Sequence, residues 1–78
     1  MHTKSRTRRL RLAPGFDYAA ERRTSTEPLW KDMGVDRSML HRVRTGEVQP
    51  GSRFIAGALT ALAPATFEDL FEVVPAEQ

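Results

Sequence analysis

The sequence predicts a small, mainly α-helical bundle of about four to five short helices, with a two-stranded antiparallel ribbon formed by its two ends. In the middle of the chain, apolar residues recur at three- and four-residue spacing, which is the period of a helix with one buried face. Glycine, proline and capping residues interrupt that pattern at short intervals, so each helix is short. Near both ends, short stretches have instead the patterns of strands.

The amino-terminal elements are one strand and one helix. The LRL stretch at residues 10–12 alternates apolar and charged side chains, which predicts a strand over residues 9–12. Pro14 with Gly15 predicts a break, because proline fixes its own backbone and disfavours helix at the residue before it. Good helix formers then predict a first helix over residues 17–23.

A second helix is predicted over residues 26–33. Thr24 and Glu27 have the spacing of a capping box, which supplies partners for amides that the first turn of a helix leaves unpaired. Pro28 is tolerated because it falls within that first turn. Gly34 ends the helix, since glycine readily adopts the left-handed backbone of a helix stop.

Two further helices follow, each bounded by recognisable caps. Asp36 is the predicted N-cap of a third helix over residues 37–45, and Gly46 supplies its left-handed stop. Ser52 is the predicted cap of a fourth helix over residues 53–62. The predicted buried face of this fourth helix consists of Ile55, Ala58, Leu59 and Leu62.

The carboxyl-terminal elements are a short helix and a strand. Thr66 and Asp69 predict a capped turn of helix over residues 67–70, and the residues that follow predict a strand over residues 71–74. A lone strand leaves its backbone groups unpaired, so the two terminal strands are predicted to pair; the alternative is that the basic start is a disordered arm. The predicted organisation is a flexible basic arm at residues 1–8, a single domain at 9–74 and a frayed tail at 75–78.

Charge is distributed unevenly along the chain. Residues 1–23 contain seven lysines and arginines against two carboxylates, a balance of +5, whereas residues 63–78 contain four carboxylates and no lysine or arginine. A polyanion is therefore expected to be attracted to the first part and repelled by the tail. The alternative is that charged ends only keep a small protein soluble.

Composition and motifs exclude several classes of protein. The chain has no cysteine, which excludes disulfides and thiolate zinc sites and is compatible with a reducing cytoplasm, the expected location. No apolar run approaches the roughly 20 residues that span a bilayer, so no membrane partner is expected. His2 and His41 make no metal cluster, and Ser38 shares a helix with His41 instead of facing it from another element. With no phosphate-cradling glycine loop either, we expect no enzyme, no cofactor and no metal.

The predicted third helix has two different faces. At about 100° per residue, Met39, Leu40 and Val43 fall between roughly 200° and 300° from the first residue and form an apolar face. The opposite side, here named the outward arc, has arginines that can take a guanine edge or a phosphate, and hydroxyls and an imidazole that can donate or accept. The outward arc consists of Arg37, Ser38, His41, Arg42 and Thr45.

The stretch GVDRSMLHRVRTG at residues 34–46, with the helix before it, resembles the helix-turn-helix of the Cro and lambda-repressor-like (XRE) family of transcriptional regulators. The similarity extends over residues 16–71 and is most specific over residues 29–50. The terminal strands further resemble small regulators of actinobacteria and of their phages and plasmids. Trp30 stands where the family usually has alanine, and it is predicted to turn into the core. The apolar positions of the motif are Leu29, Met33, Val35, Leu40 and Val43.

The resemblance implies a lambda-repressor-like fold and a Cro-like repressor that binds double-stranded DNA at a palindromic operator as a homodimer. An antitoxin or a protein-binding adaptor on the same fold is the alternative. Four apolar residues are candidates for either the dimer surface or the core: Phe67, Leu70, Phe71 and Val73. The implied base contacts are Arg37, Ser38, His41, Arg42 and Thr45, and the implied backbone contacts are Thr26, Arg44, Gln49, Arg53, Arg6, Arg8 and Arg9.

Overall fold

The computed structural model describes residues 7–76 of the chain. These residues form five helices and one two-stranded antiparallel sheet, which confirms a mainly α-helical domain with a terminal ribbon. Within this range, no helix has both the length and the apolar character needed to cross a bilayer. In chain order the elements are β1 (Arg8–Leu12), α1 (Pro14–Arg22), α2 (Leu29–Met33), α3 (Arg37–Arg44), α4 (Ser52–Ala61), α5 (Phe67–Leu70) and β2 (Phe71–Pro75).

The ribbon pairs β1 with β2 in antiparallel register, as predicted. Both strands extend one position further than predicted, because Arg8 lies opposite Pro75 and the amide of Ala76 donates to the carbonyl of Thr7 over 3.2 Å. Arg8 therefore belongs to a strand and not to an arm, and Pro75 belongs to a strand and not to a frayed tail. The alternative of a disordered arm is wrong for this stretch, since its backbone groups are paired.

The ribbon brings the basic start of the chain against its acidic end. Nε of Arg11 lies 2.6 Å from Oε2 of Glu72, and both side chains remain in contact with solvent. Opposite charges that are this close screen each other at longer range. The ion pair therefore offsets one positive charge of the start with one negative charge of the end, and the expected attraction and repulsion of a polyanion stays a prediction.

The first helix begins and ends earlier than predicted. Pro14 occupies its first turn, where a missing amide removes no intrahelical bond, so proline starts α1 instead of preventing it. The added turn brings Phe16 into the core, where it is 1% exposed. Arg23, predicted to be helical, is extended, and its guanidinium donates to Oδ2 of Asp32 at 2.6 Å and to the carbonyl of Glu27 at 2.8 Å. These bonds hold the loop between α1 and α2.

The second helix begins later than predicted. The capping box of Thr24 and Glu27 does not form, and the amide of Glu27 donates instead to Oγ of Ser25 at 3.1 Å. Pro28 takes the N-cap position with an extended backbone, and Leu29 is the first helical residue. Because proline disfavours helix at the residue before it, Pro28 keeps Glu27 out of the helix and prevents the box.

The core is built around aromatic rings from α1, α4 and β2. Phe54 stacks on Phe16 with ring centroids 6.0 Å apart and meets Phe71 edge-on at 6.3 Å. Helix α4 begins at Ser52, with Gly51 in the N-cap position that Ser52 was predicted to fill. Of the residues predicted to form the buried face of α4, Ala58 and Leu62 are buried and Ile55 and Leu59 are half-buried. Phe54 is also buried, and the prediction omitted it.

Trp30 lies at the margin of the core. It is half-buried and packs against the buried residues without joining them, so the prediction that it turns into the core is wrong. The buried positions of α2 are Leu29 and Met33, and Gly57 of α4 lies directly against the main chain of Met33. Leu29 and Met33 face the core from one side of α2, and Trp30, one residue after Leu29, is turned about 100° away from that side.

Replacing Thr66 by alanine is expected to lower the free energy of unfolding by about 1 kcal/mol. The amide of Asp69 donates to Oγ1 of Thr66 at 3.4 Å and the amide of Thr66 donates to Oδ2 of Asp69 at 2.9 Å, which confirms the predicted capping box of α5. Thr60→Ala is the matched control, because this exposed hydroxyl within α4 only donates to the carbonyl of Ala56. Urea denaturation measures both variants, and equal losses would contradict the role of the box.

Candidate nucleic-acid interface

Gly34 forms the turn between α2 and α3. Its backbone is left-handed, with a φ of 75°, a conformation that glycine adopts at little steric cost. The amide of Gly34 donates to the carbonyl of Lys31 and the amide of Val35 donates to the carbonyl of Trp30, both at 3.1 Å, in the pattern of a Schellman stop. Val35 is buried, so the turn fixes the direction in which α3 leaves α2.

The start of α3 is at the predicted residue, and its end is one residue earlier than predicted. Asp36 occupies the N-cap position as predicted, but its side chain makes no cap hydrogen bond. The helix ends at Arg44, with Thr45 as its C-cap, one residue before the predicted end. Gly46 follows with a φ of 84°, which confirms the predicted left-handed stop, and its amide donates to the carbonyl of Val43 at 3.1 Å.

Helix α3 has the two faces that its sequence predicts. Leu40 and Val43 are buried, and Met39 is half-buried against the core. All five side chains of the outward arc are exposed. The buried apolar face and the turn at Gly34 fix the position of α3 against the rest of the domain. The outward arc is therefore a polar surface on a helix of fixed orientation.

Most of the outward arc has no partner inside the protein. Among residues 7–76, no hydrogen bond, ion pair or ring contact involves the side chain of Arg37, Ser38 or His41, and the guanidinium of Arg42 likewise makes none. Thr45 is the exception, since its Oγ1 donates to the carbonyl of Arg42 at 3.1 Å. Exposed polar groups that are bonded only to water can exchange that water for a ligand at little cost.

Most arginines outside the outward arc make contacts within the protein. Over residues 7–76, Arg53 is the one arginine off α3 whose guanidinium makes no such internal contact; it borders the same depression as Asp36 and Met39 at the start of α3. The unbonded guanidinium groups therefore lie on α3 and beside it. The arginines held by carboxylates, carbonyl groups or rings are Arg8, Arg9, Arg11, Arg22, Arg23 and Arg44.

Arg44, a predicted backbone contact, joins α3 to α1. Its Nη2 lies 3.3 Å from Oδ1 of Asp17, and its guanidinium carbon lies 5.7 Å from the centroid of the Phe16 ring. The side chain is 43% exposed, so one side of the guanidinium remains open to solvent. The N–H donors that do not face Asp17 remain available to a phosphate on the open side. The packing role of Arg44 had no signal in the local sequence.

Gln49 and Arg9 fasten the ribbon to the loop after α3. Oε1 of Gln49 accepts the amide of Leu10 at 2.7 Å, which leaves the amide nitrogen of Gln49 as a donor toward solvent. Nη2 of Arg9 donates to the carbonyl of Gly46 at 3.2 Å. The two bonds hold β1 beside the carboxyl end of α3, so its arginines lie next to the outward arc.

The two remaining predicted backbone contacts are Thr26 and Arg6. Thr26 was predicted to begin the second helix, and this is wrong, because α2 begins at Leu29. Thr26 lies in a bend of the loop before Pro28 and is exposed. Arg6 lies outside the described residues.

Within residues 7–76, no group of three or more histidines, aspartates or glutamates is arranged to hold a metal ion. Comparison of the chain with protein-family models, with curated proteins and with solved structures gives no match in any of the three.

Proposed function

We propose that this protein is a sequence-specific DNA-binding transcriptional regulator whose α3 enters the major groove of double-stranded DNA. The observation that carries the proposal is the outward arc, an exposed polar surface on a fixed helix in which most side chains have no internal partner. A helix fits the width of the major groove, where base edges present donors and acceptors in a pattern that differs for each base pair.

The turn at Gly34 supports a helix-turn-helix of the Cro and lambda-repressor-like type. Helix α2, a left-handed glycine and α3 follow one another, and the apolar face of α3 is buried. In such a motif the second helix contacts base edges while the first crosses the phosphate backbone. We assign α3 and α2 to these two roles.

The side chains of the outward arc have chemistry suited to base edges. Arg37 and Arg42 can each donate two parallel hydrogen bonds to O6 and N7 of a guanine. Ser38 and His41 can donate or accept, which suits either an adenine or a guanine edge. Thr45 bonds its own helix through the hydroxyl, so its methyl group is left for the wall of the groove.

Phosphate contacts are assigned to donors beside the outward arc. Arg53 is unbonded at the start of α4, and Gln49 retains its amide nitrogen as a donor. Arg8 and Arg9 lie on the ribbon that is fastened next to α3. Arg44 is assigned the same role through the side of its guanidinium that is open to solvent. Such contacts fix the orientation of the protein and carry no direct sequence information.

A regulator of this kind is proposed to act as a homodimer. One recognition helix covers only a few base pairs, so specificity requires a second copy on a half-site about 34 Å away, within a palindromic operator. Repression by occlusion of a promoter needs no further activity, which makes a Cro-like repressor in the bacterial cytoplasm, encoded by host, phage or plasmid, the simplest form of the proposal.

An antitoxin or protein-binding adaptor is the second candidate function. It is favoured by two large apolar side chains that remain exposed near the carboxyl end, Phe67 at 39% and Val73 at 61%. An adaptor of this kind would bind its partner through apolar contacts and would retain its activity when Arg37 and Arg42 are replaced by alanine. A DNA-binding regulator would lose its activity in the same variants.

Selection of bound DNA from a random pool, with the mass of the complex measured alongside, tests the proposed function. We expect one enriched sequence with two-fold symmetry, bound by two copies of the chain. The affinity should fall steeply as salt is added, because phosphate contacts release counterions. Retention of DNA without enrichment of any sequence would overturn the proposed specificity, and failure to retain DNA at all would favour the adaptor.

Removing residues 1–6 is expected to reduce the slope of log affinity against log salt concentration by about two units, because the segment carries Lys4 and Arg6 and each phosphate contact contributes about 0.9. The truncation leaves the ribbon intact, since β1 begins at Arg8. Arg11→Ala is the control, because Arg11 is already paired with Glu72 and should change the slope by less than about one unit. An unaltered slope after truncation would mean that residues 1–6 contact no phosphate.

A further inference from the structure

A cleft of about 510 Å³ lies beside α1, opposite the turn that joins α4 to α5. Small residues, among them Ala19, Ala63 and Ala65, line it and make it concave. Tyr18 also lines the cleft and is 64% exposed, the most exposed large apolar side chain in the described part of the chain. No residue of the outward arc lines this cleft, so it is a separate surface from the proposed DNA site.

The two ends of the cleft carry opposite charges. Arg22 lies at one end with its guanidinium carbon 5.3 Å from the centroid of the Tyr18 ring, and within residues 7–76 no carboxylate forms an ion pair with it. Asp69 lines the other end beside Gly15, and its neighbour Glu68 is exposed. Seven helical residues separate Gly15 from Arg22, which places the charges roughly 10 Å apart along α1.

This distribution of charge distinguishes between kinds of occupant. An acidic segment laid along the cleft would be repelled by Glu68 and Asp69, and a basic segment would be repelled by Arg22. A second copy, turned by 180° about an axis near Tyr18, would bring the partner's Asp69 end of the cleft to Arg22 and the partner's Arg22 end to Asp69. An isologous dimer requires a surface that complements itself in this way.

We infer that two copies of the chain associate through this cleft, with their α1 helices antiparallel and each Tyr18 ring packed into the partner's cleft. Tyrosine supplies large contact area at low cost in conformational entropy and is enriched among the residues that dominate interfaces. The surface is small compared with that of an obligate dimer, so we expect a dissociation constant in the micromolar range. The inference rests on the proposed function only in giving the homodimer its interface.

Sedimentation equilibrium of the full chain without DNA, over roughly 1 to 500 µM, tests the inference. Arg22→Asp and Asp69→Arg should each weaken the dimer at least tenfold, because each change places two like charges together at both symmetry-related contacts. The double variant R22D/D69R reverses both charges and should recover an affinity close to that of the wild type. Tyr18→Ala should weaken the dimer, and neither charge reversal should restore its affinity. Arg37→Ala should leave the affinity of the dimer unchanged.

A chain that stays monomeric throughout this range would overturn the inference. A dimer whose dissociation constant is insensitive to both single charge reversals would overturn it as well, since that result points to another face, such as the one around Phe67 and Val73. Circular dichroism of each variant confirms that the compared chains are folded. Because no DNA is present, failure of the interface is distinguishable from failure of the proposed DNA binding, which the selection experiment reports separately.

Discussion

Replacement of Gly57 by alanine is expected to lower the free energy of unfolding by about 3 kcal/mol. Gly57 lies within α4 where α2 approaches it, and a methyl group built on its Cα would overlap the carbonyl oxygen of Met33 far inside van der Waals contact. The obstacle is main chain at the end of α2, so it cannot rotate aside as a side chain would. Separation of the two helices disturbs the buried side chains of α2 and outweighs the roughly 1 kcal/mol that alanine gains in helix propensity.

Urea denaturation of the wild type and of two glycine variants measures this effect. Gly51→Ala is the matched control, since a Cβ there meets nothing within 4 Å and its φ is −94°. The control should lose about 1 kcal/mol or less, the difference between glycine and alanine at an N-cap. If Gly57→Ala were as stable as Gly51→Ala, the close approach of α2 to α4 would be wrong.

Replacing Arg37 or Arg42 by alanine is expected to weaken binding to the selected operator by about 1 to 3 kcal/mol each and to abolish the preference at one base position. Neither guanidinium group makes an internal contact within residues 7–76, so neither change removes a bond seen in this part of the fold. A bidentate pair with guanine distinguishes that base from the other three, and alanine cannot replace it. Affinities on an operator and on its single-base variants measure both effects.

Arg53→Ala is the matched control, because Arg53 is equally unbonded but lies on α4. We expect this change to weaken all DNA sequences alike, as the loss of a phosphate contact does. Unchanged base preference in both the Arg37 and Arg42 variants would exclude α3 as the reading helix.

Features that depend on neighbouring residues could be predicted from the sequence. The two faces of α3 follow from spacing alone, and the stops at Gly34 and Gly46 follow from a residue type that alone favours a left-handed backbone. The capping box of Thr66 and Asp69 is equally local. The ribbon was predictable because two short strand patterns at opposite ends of a chain can satisfy their backbone groups only in each other.

Proline caused the errors at the starts of α1 and α2, because its local effects conflict. Pro14 was interpreted as a break, although the same residue is favoured in a first helical turn, and the structure uses it there. Pro28 was interpreted as tolerated in a first turn, although it also disfavours helix before it, and that second effect prevents the capping box. Sequence alone does not decide which of the two effects dominates at a given proline.

Contacts between distant elements could not be predicted. The ion pair of Arg44 with Asp17 and the bond from the amide of Leu10 to Gln49 each join residues whose proximity depends on the assembled fold. Gly57 has no left-handed backbone that would identify it in the sequence. Glycine is needed there because the main chain of α2 lies against it. The outward arc was predictable because the spacing of apolar residues within one helix decides which of its side chains are exposed. The positions of the neighbouring donors depend instead on packing between elements.

Replacement of single guanines of the selected operator by 7-deazaguanine tests the central claim, that α3 reads bases in the major groove. The analogue removes the N7 acceptor from the major groove and leaves the Watson–Crick pairing and the minor groove intact. We predict that wild-type protein loses about tenfold in affinity at one guanine for each of Arg37 and Arg42, and that the corresponding alanine variant is insensitive to the same replacement. Equal losses for wild-type and variant proteins, or no loss at any guanine, would contradict the claim.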